Sequence, residues 1–171
     1  MSFHNLLSKN DRAIAAYLIA NGVGTAADVF PGKTASAKVI PCTVIYSDRG
    51  NEVAPFSATY ELETAVMVKT RAGVDEGAGP QDSRLASELR VAETFDLFHI
   101  AVDSSAELLA ANITSAARAL AIADPANNAD LADYTAIGMR SKTIEAGQEE
   151  DGDAWIDTLH ITVVCAPSDI L

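Results

Sequence analysis

Residues 57–70, which read SATYELETAVMVKT, decide the fold class of this chain. Every second side chain is mostly apolar, and the alternate set carries Glu61, Glu63 and Lys69. A period of two residues with one polar side is typical of a strand in an antiparallel sheet with one face in solvent. The segment is long for a strand, so we expect it to bend or to project beyond its sheet.

Three other segments have the β-branched, apolar character of strands. They are residues 38–47, 134–144 and 155–166. Pro41 cannot donate a backbone hydrogen bond, which predicts broken or edge pairing in the first of them. Residues 29–32 end in Pro-Gly and are predicted to form a turn.

Apolar residues recur with helical spacing in three segments. The first helix is predicted over residues 11–21, after a capping-box-like start and before Gly22, which suits the left-handed residue past a helix end. The second begins at Asp82 and ends near Phe95, although residues 97–102 could form a short strand. The third begins at the capping box of residues 104–107 and ends at Asp124-Pro125.

Hairpins therefore bracket the helices, in the order α-β-β-α-α-β-β. This order predicts an α+β fold, with a mainly antiparallel sheet and helices packed on one face. The length of 171 residues fits a single domain covering residues 1–171. Two segments are expected to lie outside its core, a flexible glycine-containing loop at about residues 71–81 and an acidic hairpin tip at about 145–153.

The charge of the chain limits its partners. Its 12 Lys and Arg against 24 Asp and Glu give a net charge of −12, which argues against sequence-specific nucleic-acid binding and against an anionic membrane surface. The apolar stretch at residues 13–20 is too short to cross a membrane, and the N-terminus has no apolar signal core. A basic protein partner remains compatible with this charge.

The sequence offers no arrangement typical of a catalytic or metal site. His4, His99 and His160 do not have metal-ligand spacing, so we predict no metal, no cofactor and no enzymatic activity. Cys165 is expected to face away from His160 along one strand, whereas Cys42 could meet His160 from a neighbouring strand. Two free, buried thiols are favoured, and a disulfide between the cysteines is left open.

The densest group of charges lies near the end of the chain. It comprises Glu145, Glu149, Glu150, Asp151 and Asp153. The spacing fits a calcium loop poorly, so a solvated hairpin tip is favoured, with a contact loop for a basic partner as the alternative. The predicted interface residues are Glu61, Glu63, Lys69, Glu149, Glu150, Asp151 and Asp153.

In the order of its helices and strands and in their residue patterns, the chain resembles the tail terminator (tail completion) proteins of long-tailed bacteriophages. The resemblance consists of the first helix, Val29-Phe30-Pro31-Gly32-Lys33, the proline-containing strand, the long strand of residues 60–69, a helical middle and the closing strand of residues 155–165. It spans most of the chain but contains no invariant motif. We expect the loop at 71–81 and the two successive middle helices to be additions to the family's usual plan.

This resemblance implies a ring, commonly a hexamer, that caps the tail tube at the neck of the virion and presents a surface to the head. The partners it implies are further copies of the chain, the tail tube protein and a connector or stopper protein, and it carries over no catalytic residues. The protein would be made in the host cytoplasm and reside in the virion. A head–tail stopper or adaptor, or another small protein-binding domain, is the alternative.

Overall fold

The computed structural model describes residues 3–32, 41–52, 59–71, 89–98, 106–148 and 154–166. The helices are α1 (Phe3–Ala20), α2 (residues 89–98), α3 (Ala106–Ala123) and α4 (Pro125–Asn128), followed by a 3-10 turn at Ala129–Asp133. The strands are β1 (Val29–Pro31), β2 (Cys42–Glu52), β3 (Tyr60–Arg71), β4 (Thr135–Gln148) and β5 (Ala154–Ala166). The predicted α+β class with a mostly antiparallel sheet is confirmed.

The described strands form one sheet in the order β1-β2-β3-β5-β4. β1 runs parallel to β2, and every other neighbouring pair is antiparallel. β3 lies inside the sheet, where its register runs from Tyr60 opposite Cys165 to Arg71 opposite Ala154 on β5. The expectation that this strand projects beyond the sheet is therefore wrong, because β5 accompanies it along its whole length.

Alternate residues of β3 face the helices, as the sequence pattern predicts. Leu62 and Val66 are fully buried on that side, where they share a core with Leu159 and Val163 of β5. The apolar sides of α1 and α3 pack against this same face of the sheet and supply much of the core. Glu63, between two buried positions, is exposed on the opposite face.

The first helix ends as predicted but begins earlier. It starts by Phe3 rather than near residue 11, so the polar residues read as its cap lie inside it. At its other end Gly22 has φ +76°, while the backbone N–H of Val23 donates to Leu18 O at 2.9 Å. This is the arrangement in which a left-handed residue satisfies the last carbonyl groups of a helix.

Several other boundaries differ from the prediction. Residues 29–31 form a short parallel strand rather than only a turn, because the β2 partner gives their backbone a ladder. Residues 97 and 98 continue α2, so they do not start a strand, and 99–102 lie outside the described residues. Residues 125–133, which follow the predicted end of the third helix, are helical or 3-10 helical.

The predicted order therefore lacks β1 and α4. Pro41 precedes β2 instead of interrupting it, so it removes no hydrogen bond from that strand. β4 continues to Gln148, which places Glu145 in a strand and not at a hairpin tip. Of the predicted flexible loop, Arg71 belongs to β3, and residues 72–81 lie outside the described residues.

Candidate interaction surfaces

The face of the sheet opposite α1 and α3 carries the first part of the predicted interface. Glu61, Glu63 and Lys69 share this face because they alternate with the buried residues of β3. Glu63 is exposed, and the other two are half-buried. Since β3 has a hydrogen-bonded neighbour on each side, these residues can meet a partner only through this face and not through a free edge. We call it the open face because it is exposed around Glu63, although Cys42 and Val44 at one end of it are buried.

The second part of the predicted interface, residues 149–153, lies outside the described residues. The strands that lead to it end at Gln148 and resume at Ala154. The sheet brings Glu145 of that acidic group onto the open face, opposite Thr158 and beside the imidazole of His160. That these residues contact a partner stays a prediction from the sequence.

His160 lies in a shallow depression on the open face. The depression has a volume of about 380 Å³, and its walls include Tyr46, Glu63 and Thr143. The Nε2 atom of His160 is 3.1 Å from Glu145 Oε2, and both side chains are well exposed to solvent. Such a solvated pair contributes little to stability. Among the described residues, no group of three His, Cys, Asp or Glu side chains could hold a metal ion.

The two cysteines are free and buried, as favoured from the sequence. Cys42 lies opposite Lys69 of β3, whereas Cys165 lies opposite Tyr60, nine positions away and on the other face. That separation is roughly 30 Å along the strand. A disulfide needs Cα atoms within about 7 Å, so these residues cannot be bridged in this fold.

Neither cysteine forms a nucleophile pair with His160. β3 separates Cys42 on β2 from His160 on β5, so the alternative of neighbouring strands is wrong. Cys165 faces the core while His160 faces outward, as predicted. Burial raises the pKa of the Cys165 thiol to about 12, so that it is neutral and unreactive at physiological pH.

A buried polar network joins α1 to the sheet. Its centre is Asn10, whose Nδ2 donates to Ser47 Oγ at 2.9 Å and to Thr64 Oγ1 at 3.0 Å. The hydroxyl of Tyr134 donates to Asn10 Oδ1 at 2.7 Å. Because buried polar groups are costly unless they are paired, these bonds fix where α1 sits on β2 and β3.

Asp11 borders this network and is only 6% exposed. Ser47 donates its hydroxyl to Asp11 Oδ1 at 2.6 Å, and burial raises the pKa of the Asp11 carboxyl to about 7. The carboxyl group lines a cleft of about 490 Å³ between α1 and the β1–β2 edge, together with Arg12 and Tyr46. A perturbed carboxyl beside a cleft is a recognised sign of function.

The bonding of this group favours a structural role. The hydroxyl of Ser47 is 3% exposed and is engaged with Asp11, Asn10 and Thr64, so it is not available as a nucleophile. Sequence reasoning missed the network because it placed Asn10 and Asp11 at a helix start. The burial of Asn10 could have been predicted from its spacing. Asn10 lies four residues from both Leu6 and Ile14, which are core residues of α1, so all three lie on the same side of the helix.

β4 is the outermost described strand on its side of the sheet and carries exposed apolar side chains. Ile137 is 44% exposed and Ile144 is 56% exposed. Ile144 lies opposite Leu159, on the side of the sheet that the helices cover elsewhere. Its exposure shows that the helices do not cover β4 at this position.

α3 has an apolar outer face, which sequence reasoning did not single out. Leu108 is 57% exposed and Ile122 is 82% exposed. Among the described residues, α3 is the one helix whose length and composition would let it cross a membrane, a test that core helices of soluble proteins also pass. In this fold Leu109, Ile113 and Ala117 bury its inner face against the rest of the core.

In comparisons with known proteins, no protein-family model matches this chain, and no curated protein matches it significantly.

Proposed function

We propose that the protein is a structural subunit of a virion, a tail terminator that forms a closed ring at the head–tail neck and caps the tail tube. The observation that carries this proposal is an exposed apolar side chain on β4. Ile144 is 56% exposed on the outermost described strand on its side of the sheet, although it lies opposite Leu159, which the helices bury. An apolar side chain on an outer strand is a place where another chain can pair.

A ring needs two different surfaces on each subunit, because head-to-tail contacts close by rotation. β4 provides one surface. The open face of β3 and β5, with Glu61, Glu63 and Lys69, provides a second surface at a distance from the outer edge of β4. These two surfaces support an assembly in which the edge of one subunit meets the face of the next.

The charge of the chain supports the same proposal. A ring built from subunits that each carry −12 would repel DNA as a whole, and acidic residues around its lumen would let DNA pass without sticking. The partners of such a ring are further copies of the chain, commonly six, the tail tube protein, and a connector or stopper protein. A head–tail stopper or adaptor is the alternative within this class, and it would sit on the portal ring instead.

Native mass spectrometry of the purified protein tests this proposal when it is mixed separately with the tail tube protein and with the portal protein from the same virus. A terminator is expected to form a multimer that joins the tube and not the portal. A multimer that joins only the portal would reassign the protein as a stopper or adaptor. A chain that stays monomeric and joins neither would contradict the proposal.

A further inference from the structure

The outer face of α3 departs from what a surface helix of an acidic protein is expected to show. Such a helix normally has charged residues on the side away from the core. The 18 residues of α3 carry only Glu107 and Arg118 as charged side chains. The outward side chains are apolar, small or neutral along most of the helix, and they include the most exposed large apolar residue described, Ile122.

This face has an internal symmetry centred on Ser115. At 100° per residue, Ser115 points directly away from the buried side formed by Ile113, Ala117 and their neighbours. Two pairs of exposed residues at equal distances from it match in kind, Leu108 with Ile122 and Ala111 with Ala119. The two other exposed pairs, Asn112 with Arg118 and Glu107 with Ala123, differ in kind, so the symmetry belongs to the apolar and small residues.

We infer that this face, defined here as the α3 face (Leu108, Ala111, Asn112, Ser115, Arg118, Ala119 and Ile122), binds the α3 face of a second copy of the same chain. The two helices run antiparallel about a twofold axis at Ser115. Each Leu108 then meets the partner's Ile122, and each Ala111 meets the partner's Ala119. A twofold contact requires such a self-complementary surface.

The side-chain sizes fit close contact between two helices. Ala111, Ser115 and Ala119 are four residues apart, so they form one row of small side chains on the helix surface. Small residues at this spacing let two helix backbones approach each other closely. Leu108 and Ile122 lie at the two ends of this row and would cover it from water.

The charge of the molecule favours a second copy over a partner of opposite charge. Two copies that each carry −12 repel each other through most of their surfaces. On and beside the α3 face, Glu107 and Arg118 cancel, so two copies can meet there without that repulsion. A basic partner would gain nothing from this neutral surface compared with the acidic rest of the protein.

The pairing is independent of the proposed ring and would add a twofold axis to any assembly that the chain forms. One helix face is small beside the roughly 800 Å² that each partner buries in a standard stable complex. We therefore expect pairing in the micromolar range when no other contact supports it.

Cysteine cross-linking of the full chain at position 115 tests whether two α3 faces meet about a twofold axis at Ser115. In Ser115→Cys the new thiol would lie opposite itself across the axis, while Cys42 and Cys165 are buried and do not compete. The matched control is Ser8→Cys, an exposed serine on α1. With oxidised glutathione, Ser115→Cys is expected to form a covalent dimer at least tenfold faster than Ser8→Cys. Equal rates would overturn the inference.

Sedimentation velocity of Ala119→Glu provides a second readout. This exposed substitution should leave the fold intact, and it places an uncompensated acid in the contact. The mass of the wild-type assembly is expected to halve, whether that assembly is a dimer or a double ring. An unchanged mass would overturn the inference, as would flotation of the wild-type protein with neutral phosphatidylcholine vesicles in place of pairing.

Discussion

The carboxyl group of Asp11 lies between α1 and β2, where it accepts a hydrogen bond from Ser47 and is almost shielded from water. Burial favours the neutral form of this group, and the hydrogen bond from Ser47 only partly offsets that preference. The folded protein therefore binds the Asp11 proton more tightly than the unfolded chain does, with a pKa of about 7 against the ordinary 3.8. Folding stability is linked to pH through this difference.

Because the pKa of Asp11 is raised in the fold, the stability it contributes is fully present below about pH 4 and is lost as the pH rises through about 7. Asp11→Asn keeps an acceptor for Ser47 but removes the titration. We expect the variant to exceed the wild type in stability at pH 8 and to match it more closely at pH 5. The change in their difference should be about 3 kcal/mol, measured by urea unfolding at each pH.

The exposed Asp96 of α2 provides the matched control. Asp96→Asn removes the same charge from the surface, and its stability is expected to follow that of the wild type across the same pH range. If Asp11→Asn also follows the wild type, Asp11 is not held neutral by its burial.

Gly24 is constrained by its neighbours as well as by its backbone. It has φ +82°, and a Cβ atom there would meet the guanidinium of Arg90 and lie 2.6 Å from Asp28 Oδ1 and from Val29 Cγ2. Arg90 is buried and donates to Thr43 Oγ1 at 2.9 Å and to Asp28 Oδ1 at 2.8 Å. A side chain at position 24 would therefore disturb the ion pair that joins α2 to the sheet.

Gly22 is the control that separates the cost of the left-handed backbone from the cost of the steric contact at Gly24. It also has a left-handed backbone, with φ +76°, but nothing lies within 4 Å of its Cβ position. Gly22→Ala is expected to cost about 1 kcal/mol of unfolding free energy. Gly24→Ala should cost at least about 2 kcal/mol more, measured by urea unfolding. Equal losses would show that the Arg90 contact does not constrain position 24.

At the scale of elements, the sequence predicted best the segments whose residue pattern is set locally or by one buried face. The alternation around Glu61 and Glu63 placed β3 correctly, because one buried face is enough to impose a period of two. The α3 capping box likewise predicted a helix that the structure contains from Ala106. In both cases local pattern and tertiary burial agree.

The elements that the sequence did not reveal depend on distant partners. β1 is three residues long and exists because Phe30 and its neighbours pair with β2. The early start of α1 depends on Leu6 and Asn10, which are held by the core and by the buried network. The interior position of β3, where we had expected a strand that projects beyond the sheet, follows from the pairing of β5 along its whole length.

The exposed side chain of Ile144 lies on β4, the outermost described strand on its side of the sheet. Ile144→Lys places a charge on the outermost described strand, where lysine opposes pairing with another chain. We expect this variant to fold but to lose the multimer at concentrations at which the wild type assembles, as measured by size-exclusion chromatography with light scattering.

Leu89→Lys is the matched control for this variant. Leu89 is 54% exposed on α2, close to the 56% of Ile144, but it lies on a helix and not on the edge of the sheet. This control is expected to assemble like the wild type. If both variants assemble normally, β4 is not the contact between subunits.

At the scale of the whole molecule, the protein combines a neutral helix face, an exposed apolar side chain on the outermost described strand and an acidic remainder. A net charge of −12 opposes association in general, so contacts between copies must form where charge is low. The α3 face meets that condition, whereas Ile144 is followed directly by Glu145 and contributes an apolar contact beside a charged side chain. The sequence alone could supply the net charge but not these surfaces, because which side of a helix or strand stays exposed depends on the complete fold.

Negative-stain electron microscopy of the purified wild-type protein, with Ile144→Lys alongside, tests the ring most directly. We expect closed rings with a central hole for the wild type, as single rings or as pairs stacked through α3, and no rings for the variant. Wild-type particles no larger than a monomer, or than one pair of chains, at concentrations of tens of micromolar would contradict the account.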